Sequence, residues 1–279
     1  DSFVLFLLKD ILMQNQRNCH QNVWILSGTS DGPKIANELL RLNFTVFVSV
    51  ISYKASKAYL DNPKLHIITG RIKNEEQIRK IIFDNDIKSI IDATHPFALI
   101  ISKYLQQACE QVNKPLFTYE RINHHDKKIL NKRIISDLRG INGVELKNKN
   151  LLLAIGSRSL DEIAKYYMAK QANIYARILS TPQSIMGGFS SCIKESNLAI
   201  LNPSKVTVNP LELFLCEYWE IDIILCRDSG GYSQIIWELI SSKSDIDLFM
   251  LKRPKINQKN LVFSEVNMLI KSVKNIMKI

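Results

Sequence analysis

Short apolar runs alternate with helical patterns along most of this chain, and this alternation limits the folds open to it. Strand-like runs occupy residues 23–26, 44–51, 65–68, 89–92, 115–119, 151–155, 174–179, 221–226 and 247–251. Because strands that are separated by helices usually pair in parallel, the pattern predicts an α/β fold with parallel sheets.

The alternation is interrupted by a polar stretch at residues 121–149. We therefore expect two α/β domains with a cleft between them, which is a common position for a ligand. The predicted boundaries are an N-terminal extension at 1–21 (either disordered or a misassigned start), a first domain at 22–122, a linker and start of the second domain at 123–149, and a second domain at 150–279.

The charge balance points to an anionic partner. The net charge is +10 and the isoelectric point is about 9.3, which suits nucleic acid, a phosphorylated cofactor or a polycarboxylate substrate. A solvated lysine-rich surface explains the same charge equally well, because the basic residues are spread along the chain.

Cysteine and histidine usage argues against metal and disulfide sites. The five cysteines are scattered and form no CxxC pair, which favours a reducing, cytoplasmic compartment. His124 and His125 are adjacent in a polar stretch without further ligands nearby, so we expect no metal site. No apolar run reaches the roughly 18 residues that a membrane span needs, and we expect no membrane contact.

A glycine-containing turn follows the first predicted strand and consists of Gly28, Thr29, Ser30, Asp31 and Gly32. Glycine lets the backbone approach a phosphate, and the helix N-terminus that follows favours an anion. The match to the G-x-G-x-x-G dinucleotide pattern is only partial. The alternative is an ordinary turn with Thr29 or Ser30 as the helix cap.

The end of the second strand bears on the choice of cofactor. A basic residue there favours NADP, whereas an acidic residue favours NAD. Lys54 lies in this position and no acid appears before Asp61, so the sequence favours NADP modestly over a plain lysine-containing surface loop.

Residues 92–98, with the sequence Asp-Ala-Thr-His-Pro-Phe-Ala, follow a short apolar run and precede a helical pattern at 99–112. In an open α/β sheet this edge is where ligands bind. His95 could transfer a proton, donate a hydrogen bond to a cofactor, or fix the loop. Asp92 and Thr94 could contact a ligand or cap the helix, and Pro96 suits a first helical turn.

Similar strand-end features occur in the second half of the chain. An arginine can hold a carboxylate with two hydrogen bonds, and a glycine turn before a helix can cradle an anion. The candidates are Arg158 in the Gly156–Arg158 turn, Arg177, the turn formed by Asp228, Ser229, Gly230 and Gly231, and Arg253 before Pro254.

Together these segments resemble the precorrin-6A reductases of cobalamin biosynthesis, including the form that acts on cobalt-precorrin-6A. The resemblance runs from about Val23 to Pro254. The segments that carry it are the turn at 28–32, the specific string at 92–98, the strand at 176–179 with Pro182, the turn at 188–190, the turn at 228–231, and Arg253 with Pro254.

This resemblance implies two Rossmann-like domains and reduction of one double bond of the precorrin-6A macrocycle, which gives precorrin-6B. NADPH is the implied cofactor, with NADH as an alternative, and the implied partner is a polycarboxylate tetrapyrrole rather than nucleic acid or a membrane. Other enzymes of the corrin pathway stay open as partners.

The resemblance also implies roles for individual residues. The turn at 28–32 would bind the pyrophosphate, Lys54 would meet the 2′-phosphate, and Thr94 and His95 would lie near the nicotinamide. The macrocycle carboxylates would be held in the second domain by Arg158, Arg177, Asp228, Ser229, Gly230 and Gly231.

Three features depart from the family pattern. Ser27 stands where glycine is common, Arg227 stands where lysine is frequent, and residues 1–21 have no counterpart. A non-catalytic NADP-binding protein on the same fold remains the alternative function, and a nucleic-acid-binding protein ranks last.

Overall fold

A computed structural model describes residues 21–121, 130–203, 210–254 and 261–277. The extension predicted before residue 21 and the pair His124 and His125 lie outside these described residues. The described residues form two compact units, one within 1–120 together with 256–279 and the other within 121–255. In the described part of the chain, no helix is long and apolar enough to cross a membrane.

Twelve β-strands occur in the described residues: β1 (Asn22–Ser27), β2 (Thr45–Val50), β3 (Leu65–Thr69), β4 (Ser89–Ala93), β5 (Leu116–Tyr119), β6 (Lys132–Ile135), β7 (Asn150–Ala154), β8 (Asn173–Ile178), β9 (Leu198–Ile200), β10 (Ile223–Arg227), β11 (Asp247–Leu251) and β12 (Leu261–Phe263).

The same residues contain nine α-helices: α1 (Gly32–Arg41), α2 (Tyr53–Ser56), α3 (Glu75–Asp84), α4 (Leu99–Gln111), α5 (Leu160–Met168), α6 (Pro182–Phe189), α7 (Leu211–Tyr218), α8 (Tyr232–Lys243) and α9 (Val266–Ile276).

The first unit is built on a parallel six-stranded sheet in the order β12-β5-β4-β1-β2-β3. Side chains alternate along β1, so that Val23 and Ile25 pack with helices α1 and α9 whereas Trp24 packs with α3 and α4. Both faces of the central strands are therefore covered, which explains why β1 and β4 read as continuous apolar runs.

The C-terminal segment belongs to the first unit, and here the predicted second domain at 150–279 is wrong. β12 pairs in parallel with β5, and α9 buries Leu269, Ile270 and Val273 in the first core. The physical reason is that β5 would otherwise be an open edge with unpaired backbone groups, which β12 completes.

The second unit has the same kind of sheet, in the order β6-β11-β10-β7-β8-β9 with all strands parallel. β6 adds an edge strand and Ile141 and Leu146 enter the core, so this part of the predicted linker at 123–149 belongs to the second unit. Helices α5 and α8 bury Tyr167 and Trp237 in two separate core clusters.

Each sheet has a point where the direction of strand order reverses. In the first unit this point lies between β1 and β4, and in the second it lies between β7 and β10. The carboxyl ends of the strands beside such a point leave a crevice that binds ligands in open α/β sheets.

Candidate active site

In the first unit, the turn after β1 lies directly against the loop after β4. The Gly28 amide donates to the Ala93 carbonyl at 3.3 Å. A Cβ atom on Gly28 would lie 3.2 Å from the backbone nitrogen of His95 and 3.3 Å from the Cα atom of Thr94. The absence of a side chain at Gly28 therefore allows the two predicted site segments to come together.

Ser27 and Gly32 fit one another in the same turn. A Cβ atom on Gly32 would lie 2.0 Å from the Ser27 hydroxyl and 2.4 Å from the Tyr59 hydroxyl. The serine that replaces the expected glycine thus fills space that Gly32 leaves open. Burial raises the pKa of Tyr59, and a hydrogen bond with Ser27 partly opposes this shift.

Helix α1 begins at Gly32, which is one residue later than a cap at Ser30 and two later than a cap at Thr29 would place it. Its N-cap is Asp31, which makes no side-chain capping bond, and not Thr29 or Ser30. The Thr29 hydroxyl instead donates to the Asp31 carboxylate at 3.1 Å, and Asp31 is 7% exposed. A carboxylate is favourable at this helix end but repels a phosphate, so phosphate contact is left to the backbone of the turn.

Asp92 organises the loop at residues 92–98. One carboxylate oxygen accepts from the Thr94 amide at 3.0 Å and the Thr94 hydroxyl at 2.6 Å, and the other accepts from the Ser102 hydroxyl at 2.6 Å. Asp92 is 4% exposed. These hydrogen bonds therefore connect the loop to helix α4 through a buried carboxylate.

The helical pattern expected at 99–112 is confirmed, but Pro96 does not lie in the first helical turn. Helix α4 begins at Leu99 with Ala98 as its N-cap, and Pro96 lies in a turn closed by the bond from the Ala98 amide to the His95 carbonyl at 2.7 Å. Neither Asp92 nor Thr94 serves as the N-cap. A proline fits this turn because its fixed φ also suits a tight turn.

The His95 ring is oriented by its own loop. Its Nδ1 atom accepts a hydrogen bond from the Phe97 amide at 3.2 Å, and the two rings are tilted with centroids 5.8 Å apart. Since Nδ1 is an acceptor, the hydrogen of the neutral ring lies on Nε2. His95 is therefore arranged to donate a hydrogen bond from Nε2.

Lys54 lies in the short helix α2, just beyond the end of β2, and it is exposed. The helix is capped by Ser52, whose hydroxyl accepts from the Ala55 amide at 3.3 Å. β2 pairs with β1, so Lys54 follows the same edge of the sheet as Gly28. The ammonium of nearby Lys57 lies over the ring of Tyr53, 5.4 Å from its centroid.

In the second unit, two arginines follow the strands at which the strand order reverses: Arg158 comes after β7 and Arg227 ends β10. Gly156, with φ at +78°, follows β7, and a Cβ atom there would lie 3.8 Å from Nη1 of Arg227 at the end of β10. Burial lowers the pKa of Arg227, and the positive charge of exposed Arg158 lowers it further. This edge therefore carries concentrated positive charge.

The turn at 228–231, here called the Gly230 turn, holds two further arginines. Arg253 donates from Nε to the Asp228 carbonyl at 3.0 Å and from Nη1 to the Arg121 carbonyl at 2.8 Å. A Cβ atom on Gly230 would lie 2.5 Å from Arg253 Nη2, and one on Gly231 would lie 2.3 Å from Arg121 Nη1. The two glycines therefore make room for guanidinium groups.

The Gly230 amide does not point to an open anion site. It donates to the Gln234 side-chain oxygen at 2.6 Å, and neighbouring Asp228 and Ser229 are buried. Our expectation that backbone amides of this turn would cradle an anion thus needs correction at Gly230. The guanidinium groups beside the turn belong to Arg121 and Arg253, and Arg253 Nε also lies 3.4 Å from the buried Asp228 carboxylate, which balances part of its charge.

Arg177 differs most from its predicted role. It is 5% exposed, and its Nη2 atom lies 3.7 Å from the carboxylate of Glu212, a residue of α7 that is 1% exposed. Burial lowers the pKa of Arg177 to about 10, an effect that the attraction of Glu212 only partly opposes. Its guanidinium therefore faces an internal carboxylate and not the surface.

The sequence reasoning missed several residues that shape the two sites. Ser102 lies in a helical pattern and Tyr59 lies in a loop pattern, and neither pattern indicates a function. Arg121 is the second residue after β5, a strand-end position that could have drawn attention to it. Gln234 stands four residues after Gly230, a spacing that is informative only once the helix start is known.

Known proteins match most of the chain. The family model described as precorrin-6x reductase CbiJ/CobK matches residues 22–274. The cobalt-precorrin-6A reductase of Synechocystis sp. is 26% identical over 236 residues, which cover 84% of this chain and 88% of that protein. The enzyme of the same name from Methanocaldococcus jannaschii is 23% identical over 264 residues, covering 91% and 99%.

Among solved structures, CobK precorrin-6A reductase superposes with a TM-score of 0.75 and 16% sequence identity. The match covers 92% of this chain and 97% of that one. At this level of identity the likeness concerns the fold, and it agrees with the predicted pair of Rossmann-like α/β domains.

Proposed function

The chain belongs to the CbiJ/CobK family of precorrin-6x reductases, and from this premise we propose that it reduces precorrin-6A or cobalt-precorrin-6A with NADPH. It is an oxidoreductase of cobalamin biosynthesis, and a reductase of this family requires a nicotinamide cofactor. The product would be precorrin-6B or its cobalt form. The observation that carries the proposal is the close contact of Gly28 with the loop that holds His95.

The first unit has the features that a dinucleotide needs. Gly28 lets the backbone approach a pyrophosphate, and the start of α1 supplies amides and a positive helix end. Asp31 would accept from cofactor hydroxyls or amides and not contact phosphate. When bound, the reduced nicotinamide supplies the hydride, and the protein supplies position and electrostatics.

His95 would hold the carboxamide end of the cofactor. Its Nε2 hydrogen suits a carbonyl acceptor, and the Phe97 amide fixes the ring in that tautomer. Thr94 donates hydrogen bonds to Asp92 from its amide and its hydroxyl, and these bonds stabilise the loop. His95 or a bound water would supply the proton that accompanies hydride transfer.

Preference for NADPH is supported by Lys54 at the end of β2. An ammonium there would pair with the 2′-phosphate, which NADH lacks. We expect Lys54→Ala to raise the KM for NADPH about tenfold while leaving the KM for NADH within about twofold. Lys57→Ala is the matched control, because its ammonium is engaged with Tyr53. Equal effects of Lys54→Ala on both cofactors would refute this assignment.

The second unit would hold the carboxylates of the macrocycle. Arg158 and Arg227 follow the two strands at the strand-order reversal, and Arg121 and Arg253 lie against the Gly230 turn. Guanidinium groups bind carboxylates with two parallel hydrogen bonds, which suits a substrate rich in acetate and propionate groups. Arg177 would instead stabilise the interior of this unit through its contact with Glu212.

Anaerobic NADPH oxidation with purified protein tests the function directly. We expect turnover with precorrin-6A or cobalt-precorrin-6A, and comparison of the two substrates would identify the pathway branch. Folded protein that binds NADPH but reduces neither macrocycle would favour the alternative, a non-catalytic nucleotide-binding protein. We also propose a cytoplasmic location, supported by the free thiols of Cys109, Cys192, Cys216 and Cys226.

A further inference from the structure

A buried line of polar groups runs beneath the Gly230 turn of the second unit. Lys132 of β6 forms an ion pair with Glu238 of α8, and their side chains are 8% and 13% exposed. Gln234, which is 2% exposed, donates from Nε2 to the same Glu238 oxygen at 3.2 Å. Its Oε1 accepts from the Gly230 amide at 2.6 Å. Three side chains therefore connect an edge strand to the turn.

The order of charges in this line fixes the direction of the Gln234 amide. Glu238 pairs with Lys132 as a carboxylate, and a carboxylate can only accept hydrogen bonds. Gln234 must therefore turn its NH2 group toward Glu238 and its oxygen toward Gly230. A buried ion pair adds little stability compared with apolar side chains of the same size, so a role in conformational specificity is the better account.

Gly230 is the point at which this orientation matters. Its φ is +66°, a left-handed conformation, and the hydrogen bond from Gln234 holds its amide in place. The same turn presents the Asp228 carbonyl to Arg253 Nε and leaves the space that the guanidinium groups of Arg253 and Arg121 occupy. A displaced Gly230 would therefore displace both arginines.

We propose that Gln234, supported by Glu238 and Lys132, is a positioning residue for the arginines that bind the macrocycle carboxylates. The proposal rests on the proposed function, since it assigns substrate carboxylates to Arg121 and Arg253. Gln234 acts through the Gly230 turn and does not touch the substrate. The cofactor turn lies in the other unit, so its properties are expected to stay unchanged.

Gln234→Met tests the positioning role because it keeps the side-chain length and removes the oxygen that accepts from the Gly230 amide. We expect the KM for the macrocycle to rise about tenfold, as for loss of one buried hydrogen bond, while the KM for NADPH stays within about twofold. Ser241→Ala is the matched control: Ser241 is also buried on α8 and donates to the Ile246 carbonyl at 2.8 Å. It should lower the melting temperature without changing either KM.

A charge exchange supplies the rescue. In Gln234→Glu with Glu238→Gln, the new glutamine donates to the new carboxylate, which still accepts from Gly230, and Lys132 still finds an acceptor. We expect this double variant to recover most of the macrocycle KM that Gln234→Glu alone loses. A purely structural role would give parallel losses of melting temperature in all variants and no such recovery.

Binding of uroporphyrin, a polycarboxylate tetrapyrrole, gives a second measurement that does not require turnover. Fluorescence titration should show the same order: wild type and the double variant bind well, and Gln234→Met binds about tenfold more weakly. Wild-type turnover together with unchanged KM and binding in Gln234→Met overturns the positioning role alone. A wild type that neither turns over nor binds overturns the proposed function as well.

Discussion

The buried pair of Arg177 and Glu212 allows a direct test of two opposed roles for Arg177. As a strand-end arginine it was expected to bind a substrate carboxylate, but the structure pairs it with Glu212 at 3.7 Å inside the second unit. The informative variants are Arg177→Met, Glu212→Leu and their combination. Each replacement keeps approximate volume while removing one charge or both.

The expected magnitude follows from the distance and the burial. Two unit charges 3.7 Å apart attract by about 4 kcal/mol at an effective dielectric constant of about 20. Burial opposes this attraction, as the lowered pKa of Arg177, about 10, indicates. Each single variant removes this attraction and leaves the other buried charge less well compensated, so it should cost about 3–5 kcal/mol, whereas the double variant should cost clearly less than the sum of the two.

Urea unfolding measures the free energy of each variant and closes a double-mutant cycle. We expect a coupling energy of about 3 kcal/mol or more between Arg177 and Glu212. Arg158→Met is the control: Arg158 is exposed at the same sheet edge, so its loss should change stability by less than about 0.5 kcal/mol while raising the macrocycle KM.

Two outcomes would refute this reasoning. Additive single variants would mean that the two charges do not interact in the folded protein. An Arg177→Met protein with unchanged stability but a raised macrocycle KM would mean that Arg177 binds a substrate carboxylate, as the sequence suggested.

Three further perturbations address the other features of the two units. Gly32→Ala should destabilise the protein by about 1–3 kcal/mol and weaken NADPH binding, because the new Cβ meets the Ser27 hydroxyl; unchanged melting temperature and NADPH fluorescence titration would contradict this contact. His95→Gln keeps a side-chain N–H donor and should retain kcat within about tenfold; a fall of about 10²-fold or more, with loss of a limb of the pH profile, would identify a proton-transfer role. Burial raises the pKa of Cys109 from 9.0 to about 12 and that of Tyr167 from 10.0 to about 12. The unfolded chain thus loses these protons first, so the free energy of unfolding should fall between about pH 9 and pH 12, and a flat profile from urea titrations would argue against the burial.

The alternation of apolar and helical patterns was sufficient to predict the fold class. Central strands such as β1 and β4 are buried on both faces, and strands of this kind have continuous apolar runs in their sequence. β12 could not be predicted in the same way. It has three residues, and its place is set by the open edge of β5 and not by any local pattern.

Site residues were predictable to the extent that backbone geometry determines them. Gly28 and the loop at His95 come together because both follow strands at a reversal of strand order. Arg177 was misassigned because its partner Glu212 is 35 positions away in sequence and becomes adjacent only through packing. The contact of Gln234 with Gly230 depends on where α8 starts, which sequence patterns fix least well.

The placement of β12 and α9 has a consequence for biosynthesis of the chain on the ribosome. The first unit lacks its sixth strand and the helix that carries Leu269 until everything up to about residue 277 has been translated. The second unit is contiguous, so it can complete its sheet while the earlier one still has an exposed strand edge. Folding is thus expected to finish in the reverse of the order of translation, and the interval in which β5 stays open is when the nascent chain most needs chaperone protection.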